Sequence, residues 1–191
     1  MDIEEPLREL GPVDASRLSD AILNQAREAW LAEELRQQTY EVHRDTESMV
    51  LVFTESDTWP ELVVQKMPSW GLLIETAGPL MHEIIGRHYP PGGAIVRAMA
   101  AKLKTGGKIR PHVDSHPSFH IGHRIHVPIT TNPRVRFMID GRPFRLQVGQ
   151  AYEINNQKTH SVANNGHEDR ITFIFDYVPP EQLGRLSQSA A

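Results

Sequence analysis

Cysteine is absent from this 191-residue chain. No disulfide framework, cysteine-ligated zinc, iron–sulfur cluster or thiol nucleophile is therefore open to it. Any metal must be held by imidazole nitrogen and carboxylate oxygen, and the chain has 10 histidines. Long apolar runs are also missing. None approaches the roughly 18–20 residues that span a bilayer, so no membrane partner is expected. The opening Met-Asp-Ile-Glu-Glu-Pro is acidic and lacks the apolar core of a secretory signal, which makes the cytoplasm the expected compartment. Excess positive charge is absent as well. A formal net charge of -4 leaves no electrostatic footprint for nucleic acid.

What is present is ordinary globular material, 39% hydrophobic and 23% charged. The length favours one domain that buries on the order of two-thirds of its unfolded surface. The texture changes along the chain. Ser16 to Gln38 reads as an amphipathic helix, with Leu18, Ile22, Ala26, Trp30 and Leu31 at helical spacing and Ser16 or Ser19 as N-cap. Trp30 is expected to pack on the body of the protein, although nothing in the sequence sets the oligomeric state. A second helix is expected from about Pro79 to His88, closed by Pro90-Pro91-Gly92-Gly93. Met49–Phe53 and Leu62–Lys66 read as strands.

Past Gly93 the pattern becomes strand and turn. Strands are expected at 94–103, 109–114, 124–129, 135–139, 144–148, 151–154, 160–163 and 170–178, followed by a short helix from Glu181. Asp140-Gly141 between two alternating runs predicts a tight hairpin. The expected fold is mainly β with flanking helices: a cupin-like jelly roll, or double-stranded β-helix, over 93–180. Residues 1–92 would form a buttress of helices and short strands within a single domain 1–191.

The chemistry concentrates in Arg-Pro-His-Val-Asp (110–114) and Lys-Thr-His-Ser-Val (158–162). On a strand, His112 and Asp114 would share a face and Val113 would point into the sheet core. His160 lies far along the chain, so only a closed fold can bring it in. Two imidazoles and one carboxylate cap one face of a metal and leave the opposite face open, as in non-haem Fe(II) oxygenases. Taken alone, a His-x-Asp pair is also compatible with a solvated strand end. Arg170, ten residues beyond His160, offers a bidentate cation for a carboxylate near that metal. A buried Arg at the start of an apolar strand needs an anion to meet it, which a structural Asp or Glu could equally provide. Arg124 and His126 form a second i, i+2 pair. His116, His120 and His123 are expected to be loop residues rather than substrate contacts.

Pro-His-Val-Asp (111–114), Arg-Ile-His-Val-Pro-Ile (124–129), Gly-Gln-Ala-Tyr-Glu-Ile-Asn-Asn (149–156), Thr-His-Ser-Val-Ala-Asn (159–164) and Asp-Arg-Ile-Thr-Phe-Ile-Phe-Asp (169–176) follow one another in a specific order. From about Ala94 to Val178 the chain resembles the aspartyl/asparaginyl β-hydroxylase family of 2-oxoglutarate-dependent oxygenases. The resemblance implies a double-stranded β-helix using Fe(II), 2-oxoglutarate and O2. It implies that His112, Asp114 and His160 bind the metal and are catalytic. Arg170 would hold the distal carboxylate of 2-oxoglutarate, with Arg124 and His126 at its iron-proximal carboxylate. Because Asp114 is present, the chain looks more like the bacterial branch, which includes free proline hydroxylases, than the animal peptidyl hydroxylases. A hydroxyl that helps bind the distal carboxylate in some members should fall near 98–102. Ala100 and Ala101 stand there, so Lys102 or Thr172 would have to substitute.

The implied reaction is hydroxylation of a C–H in an amino acid, or in an amino-acid side chain of a peptide, with release of succinate and CO2. Arg97, Lys102, His116, Arg136 and Trp70 are the residues that could meet such a substrate. The alternatives are a non-catalytic cupin-like binding module and a zinc-dependent hydrolase with a metal-bound water.

Overall fold

The computed structural model describes residues 1–31, 45–54 and 61–183. Strands β1 (Leu7–Pro12), β2 (Thr46–Thr54), β3 (Val64–Lys66), β4 (Ala94–Leu103), β6 (His123–Thr130), β9 (Gln150–Ile154) and β11 (Arg170–Val178) form a seven-stranded sheet in the order β1-β9-β6-β11-β4-β2-β3. Strands β5 (Lys108–His112), β7 (Val135–Ile139), β8 (Arg142–Phe144) and β10 (His160–Asn164) form the second sheet, ordered β5-β10-β7-β8. All pairings are antiparallel. Strands β4 to β11 divide between the sheets as four plus four, with β7 and β8 a hairpin in the smaller one, which is the double-stranded β-helix expected for this part of the chain.

Alternation along β11 divides the interior. Phe173, Phe175 and Tyr177 are buried on one face, in the core shared with helices α1 (Ser16–Leu23), α2 (Arg27–Leu31) and α3 (Trp70–His88). Arg170, Thr172, Ile174 and Asp176 take the other face, toward the second sheet. A smaller core of Leu103, Phe137, Ile139, Leu146, Tyr152, Ile154 and Val162 lies between the sheets. It fills only part of that space, and the remainder is a cavity of about 280 Å³.

Several elements differ from the sequence reading. The expected helix 16–38 is interrupted after Leu23 and resumes at Arg27. Residues 32–38 lie outside the described residues. Neither serine caps α1. Ala15 occupies the cap position, and the Asp14 carboxylate accepts the Ser16 N–H at 3.0 Å. Trp30 is buried against the sheet, with the Lys102 ammonium 3.9 Å from its ring centre.

Helix α3 starts at Trp70 and carries Pro79 inside it. Proline there removes one backbone bond, but Leu73, Ala77, Leu80, Met81 and Ile84 form a continuous buried stripe that outweighs the loss. Strand β1 was not foreseen. It has one buried residue, Leu10, and a bulge at Gly11 (φ 88°), so its sequence carries no clean alternation. The Asp140-Gly141 hairpin is as expected, with both residues at positive φ (51° and 73°), the condition for the turn that matches strand twist.

At Gly93 the constraint is room rather than φ. A Cβ built there would stand 2.2 Å from the Val178 carbonyl oxygen and 2.6 Å from the Tyr177 ring. The Gly93 N–H also donates to Tyr177 Oη at 2.8 Å, locking the start of β4 to the end of β11. Gly93→Ala is expected to destabilise the fold by about 1–3 kcal/mol in urea unfolding, as for other overpacked sites. An unchanged midpoint would show that this contact yields freely.

Candidate metal centre

His112 ends β5, and His160, the first residue of β10, pairs directly with it. Their ring centres are 4.3 Å apart. Asp114 follows two residues after His112, beyond the end of the strand. The expectation that Val113 points into the sheet core is wrong: it is 44% exposed. The chain turns off the ladder at this point, and the turn rather than the pleat brings Asp114 back to the imidazoles. One ligand atom from each of His112, Asp114 and His160 lies within 4.8 Å of the others.

The tautomers suit a metal. His112 Nδ1 sits 2.8 Å from the Arg110 carbonyl and His160 Nδ1 3.0 Å from the Lys158 carbonyl. A carbonyl only accepts, so each Nδ1 carries a proton and Nε2 is the nitrogen left to face a metal. Burial pushes Asp114 up, but the Arg124 guanidinium, His160 and His112 outweigh it and hold the carboxyl below its ordinary value. Burial likewise keeps the His160 imidazole neutral, against the pull of Asp114. The donor set of two imidazoles and one carboxylate therefore fits a divalent cation such as Fe(II).

Arg124 lies on β6 and donates a short hydrogen bond from Nη1 to Asp114 Oδ2. Its Nε is 3.5 Å from Asp176 Oδ1. His126, two residues on, faces the same cavity. Burial, reinforced by Arg124, Arg170 and His160, holds it well below the ordinary imidazole value, so it is neutral. Neither of its ring nitrogens has a hydrogen-bond partner among the described residues.

Arg170 lines the cavity at the opposite end of β11 from Asp176. Burial alone lowers its pKa to about 10, with no carboxylate to oppose the shift. Among the described residues its Nη2 has no hydrogen-bond partner, and neither has the buried Thr172 hydroxyl two residues along the same strand. A guanidinium, a hydroxyl and a neutral imidazole, all buried and incompletely matched, make a cradle for a carboxylate. The missing hydroxyl on β4 is explained by register: Ala101 stands directly opposite Thr172. Lys102 faces the helices instead, where its ammonium bonds Glu47 at 3.1 Å.

Of the residues considered for substrate, Arg97 and His116 line the cavity. Trp70 begins α3, with Lys66 Nζ 4.5 Å from its ring, and Arg136 is exposed on β7. His120 is an exposed turn residue, as expected. His123 is a strand residue, paired with Glu153 at 2.5 Å. Sequence reasoning missed Phe53, Thr54, Phe119 and Phe137 on the cavity wall. Only the adjacency of β2 to β4 and the turn before β6 place the first three there, and no local pattern encodes that. Asp176 follows from the alternation of the final strand, which puts Arg170, Thr172, Ile174 and Asp176 on one face.

Fold and site together define a double-stranded β-helix oxygenase. The sequence model for aspartyl/asparaginyl beta-hydroxylases matches residues 20–180, and the chain belongs to that family. It is a 2-oxoglutarate-dependent hydroxylase of the Fe(II) class, with O2 as co-substrate. No curated protein matches the chain. Among solved structures it is similar to an oxidoreductase of the 2OG-Fe(II) oxygenase family from Burkholderia pseudomallei. That likeness has TM-score 0.56 and 13% identity, over 87% of this chain and 90% of that one. It is also similar to the viral collagen prolyl hydroxylase of Paramecium Bursaria Chlorella virus-1 in its 2OG complex (TM-score 0.56, 10% identity, 92% and 97% covered). A third similar structure is a prolyl hydroxylase from Trichoplax adhaerens in complex with a hypoxia inducible factor oxygen degradation domain peptide fragment (TM-score 0.55, 10% identity, 94% and 86% covered). At these identities the likeness establishes the fold alone. Among the described residues, no helix is long and apolar enough to cross a membrane.

An unmatched buried guanidinium costs the ligand-free protein stability. Arg170→Met is expected to raise stability without 2-oxoglutarate by about 1–3 kcal/mol in urea unfolding, while abolishing 2-oxoglutarate binding. A destabilised variant would mean that Arg170 has a structural role.

Proposed function

We propose that this protein hydroxylates a C–H bond of an amino acid, or of an amino-acid side chain in a peptide, and converts 2-oxoglutarate to succinate and CO2. The observation that carries the reading is the pairing of a His-Asp-His cluster with a buried Arg170 that no carboxylate of the described residues neutralises.

In this reading His112, Asp114 and His160 hold Fe(II). The bound metal supplies oxygen activation and the oxidising power that breaks a C–H bond. The protein supplies the rest. Arg170 and the Thr172 hydroxyl take the distal carboxylate of 2-oxoglutarate, and His126 offers its neutral N–H to the metal-side carboxylate. Arg124 lends its charge to that same carboxylate while its bond to Asp114 keeps the ligand ionised and oriented. The carbonyls of Arg110 and Lys158 fix the imidazole tautomers. Phe137, Ile174 and Phe119 line the cavity with apolar surface and exclude water. The peptide bound to the Trichoplax neighbour supports a peptide as well as a free amino acid as substrate.

The test is anaerobic titration of Fe(II) and 2-oxoglutarate, following the weak visible metal-to-ligand charge-transfer band. The wild type is expected to give the band and His160→Ala to lose it. Asp114→Ala is expected to abolish succinate-coupled hydroxylation, and undiminished turnover in that variant would refute the ligand assignment. Well-folded wild type without a band would remove the reading altogether.

A further inference from the structure

The co-substrate reading leaves one buried cation of the cavity without a task. Resting on that reading, we propose that Arg97 receives a free carboxylate of the substrate, so that the substrate is a free amino acid or a short peptide presenting its C-terminus.

Arg97 lies on β4 opposite Asp176 of β11, and Arg124 lies opposite the same Asp176 on β6. Asp176 and Arg170 share one face of β11 six residues apart, roughly 20 Å at strand rise. The cavity therefore has two basic ends. Arg170 marks one, while Arg97 and Arg124 mark the other, beside the metal cluster through the Arg124–Asp114 bond.

Arg97 is 3% exposed, yet it is held mainly by neutral groups. Nη1 donates to Ser118 Oγ at 2.6 Å, and Nη2 is 3.3 Å from His116 Nδ1. The rings of Phe119 and Phe53 lie 4.4 and 5.1 Å from its guanidinium carbon. Its acidic neighbour is in ion-pair contact but beyond hydrogen-bond reach: Asp176 Oδ2 is 3.6 Å from Nη1, and among the described residues neither Asp176 oxygen makes a hydrogen bond. The Arg97 Nε–H is buried with no partner among the described residues. A structural arginine in a dry site takes a close, bidentate carboxylate. This one has a single carboxylate at 3.6 Å, is oriented by a hydroxyl, an imidazole and two rings, and lines the cavity with one N–H still unmatched among the described residues.

Charge points the same way. Arg97, Arg124 and Arg170 stand against Asp114 and Asp176, which leaves one positive charge in excess among these five side chains. Fe(II) and the 2-oxoglutarate dianion cancel each other, so the excess persists until another anion enters. At about 280 Å³, shared with the co-substrate, the cavity is near the lower limit of small-molecule pockets. That favours a compact substrate over an internal residue of a long chain. Phe53 and Phe119 offer apolar walls beside the carboxylate position.

The experiment measures succinate release by the Fe(II)-loaded protein with a panel of L-amino acids and dipeptides, each compared with its C-terminal amide. Free acids are expected to stimulate turnover, with amides at least about thirtyfold lower in kcat/KM, as for loss of one partner of a buried charge pair. Arg97→Met is expected to erase the preference of acid over amide, and Arg97→Lys to restore part of it. Amides as effective as acids in the wild type would overturn the proposal, as would a preference that survives Arg97→Met. So would a panel in which no carboxylate compound stimulates while the charge-transfer band is intact. A missing band fails the underlying reading, and this one with it. If Arg97→Met does not fold, the acid–amide comparison in the wild type decides alone.

Discussion

Strand β11 is hydrogen-bonded on both edges, to β4 and to β6, along almost its whole length. That double ladder fixes its alternation, because a slip of one residue would send every side chain to the other face. Three aromatic rings go to the helix-backed core, while Arg170, Thr172, Ile174 and Asp176 go to the cavity. The same ladders bring Ala101 and Arg97 of β4, and Arg124 and His126 of β6, into register with them. The spacing between the two basic ends of the cavity is thus a property of backbone pairing, not of side-chain adjustment.

Buried polar groups fall into two sets that differ in completeness. On the helix side of the large sheet, Glu153 accepts from Tyr89 Oη at 3.0 Å and pairs with His123 at 2.5 Å and Arg8 at 2.6 Å. That acid is fully matched and joins β1, β6, β9 and the end of α3. Burial pushes Glu153 up, but its partners, His123 first, hold it below the usual carboxylate range. On the cavity side, His126, Arg170, Thr172 and Asp176 all retain unmatched atoms. A satisfied network stabilises one structure, while a partly satisfied one is costly until something completes it. The contrast separates scaffold from site within one sheet.

The His-Asp-His cluster combines a rigid part with a bent one. His112 and His160 stand opposite each other on paired strands, and each is aimed by a carbonyl two residues before it. Asp114 has left the strand and is held by Arg124 and by its backbone N–H to the Asn156 carbonyl at 3.2 Å. The carboxylate thus depends on the large sheet and the imidazoles on the small one. The cluster exists only when the two sheets are correctly faced.

By itself the sequence determined the strand-rich half, the Asp140-Gly141 hairpin and the absence of thiol donors, and it singled out His112, Asp114, His160 and Arg170 as candidates. These are local signals: alternation, turn chemistry and residue type over a few positions. It also contained the partition of β11, since period two needs no partner to be read. It misread Val113, the length of the first helix and the start of α3, where a turn, a break and a packed stripe overrode local preference. Only the tertiary structure decided that Lys102 faces Glu47 and Trp30, that Ala101 stands opposite Thr172, that Arg124 grips Asp114, and that Phe53 and Phe119 flank Arg97. Those relations join residues far apart in the chain through sheet order and register, and no local pattern encodes which strand becomes whose neighbour.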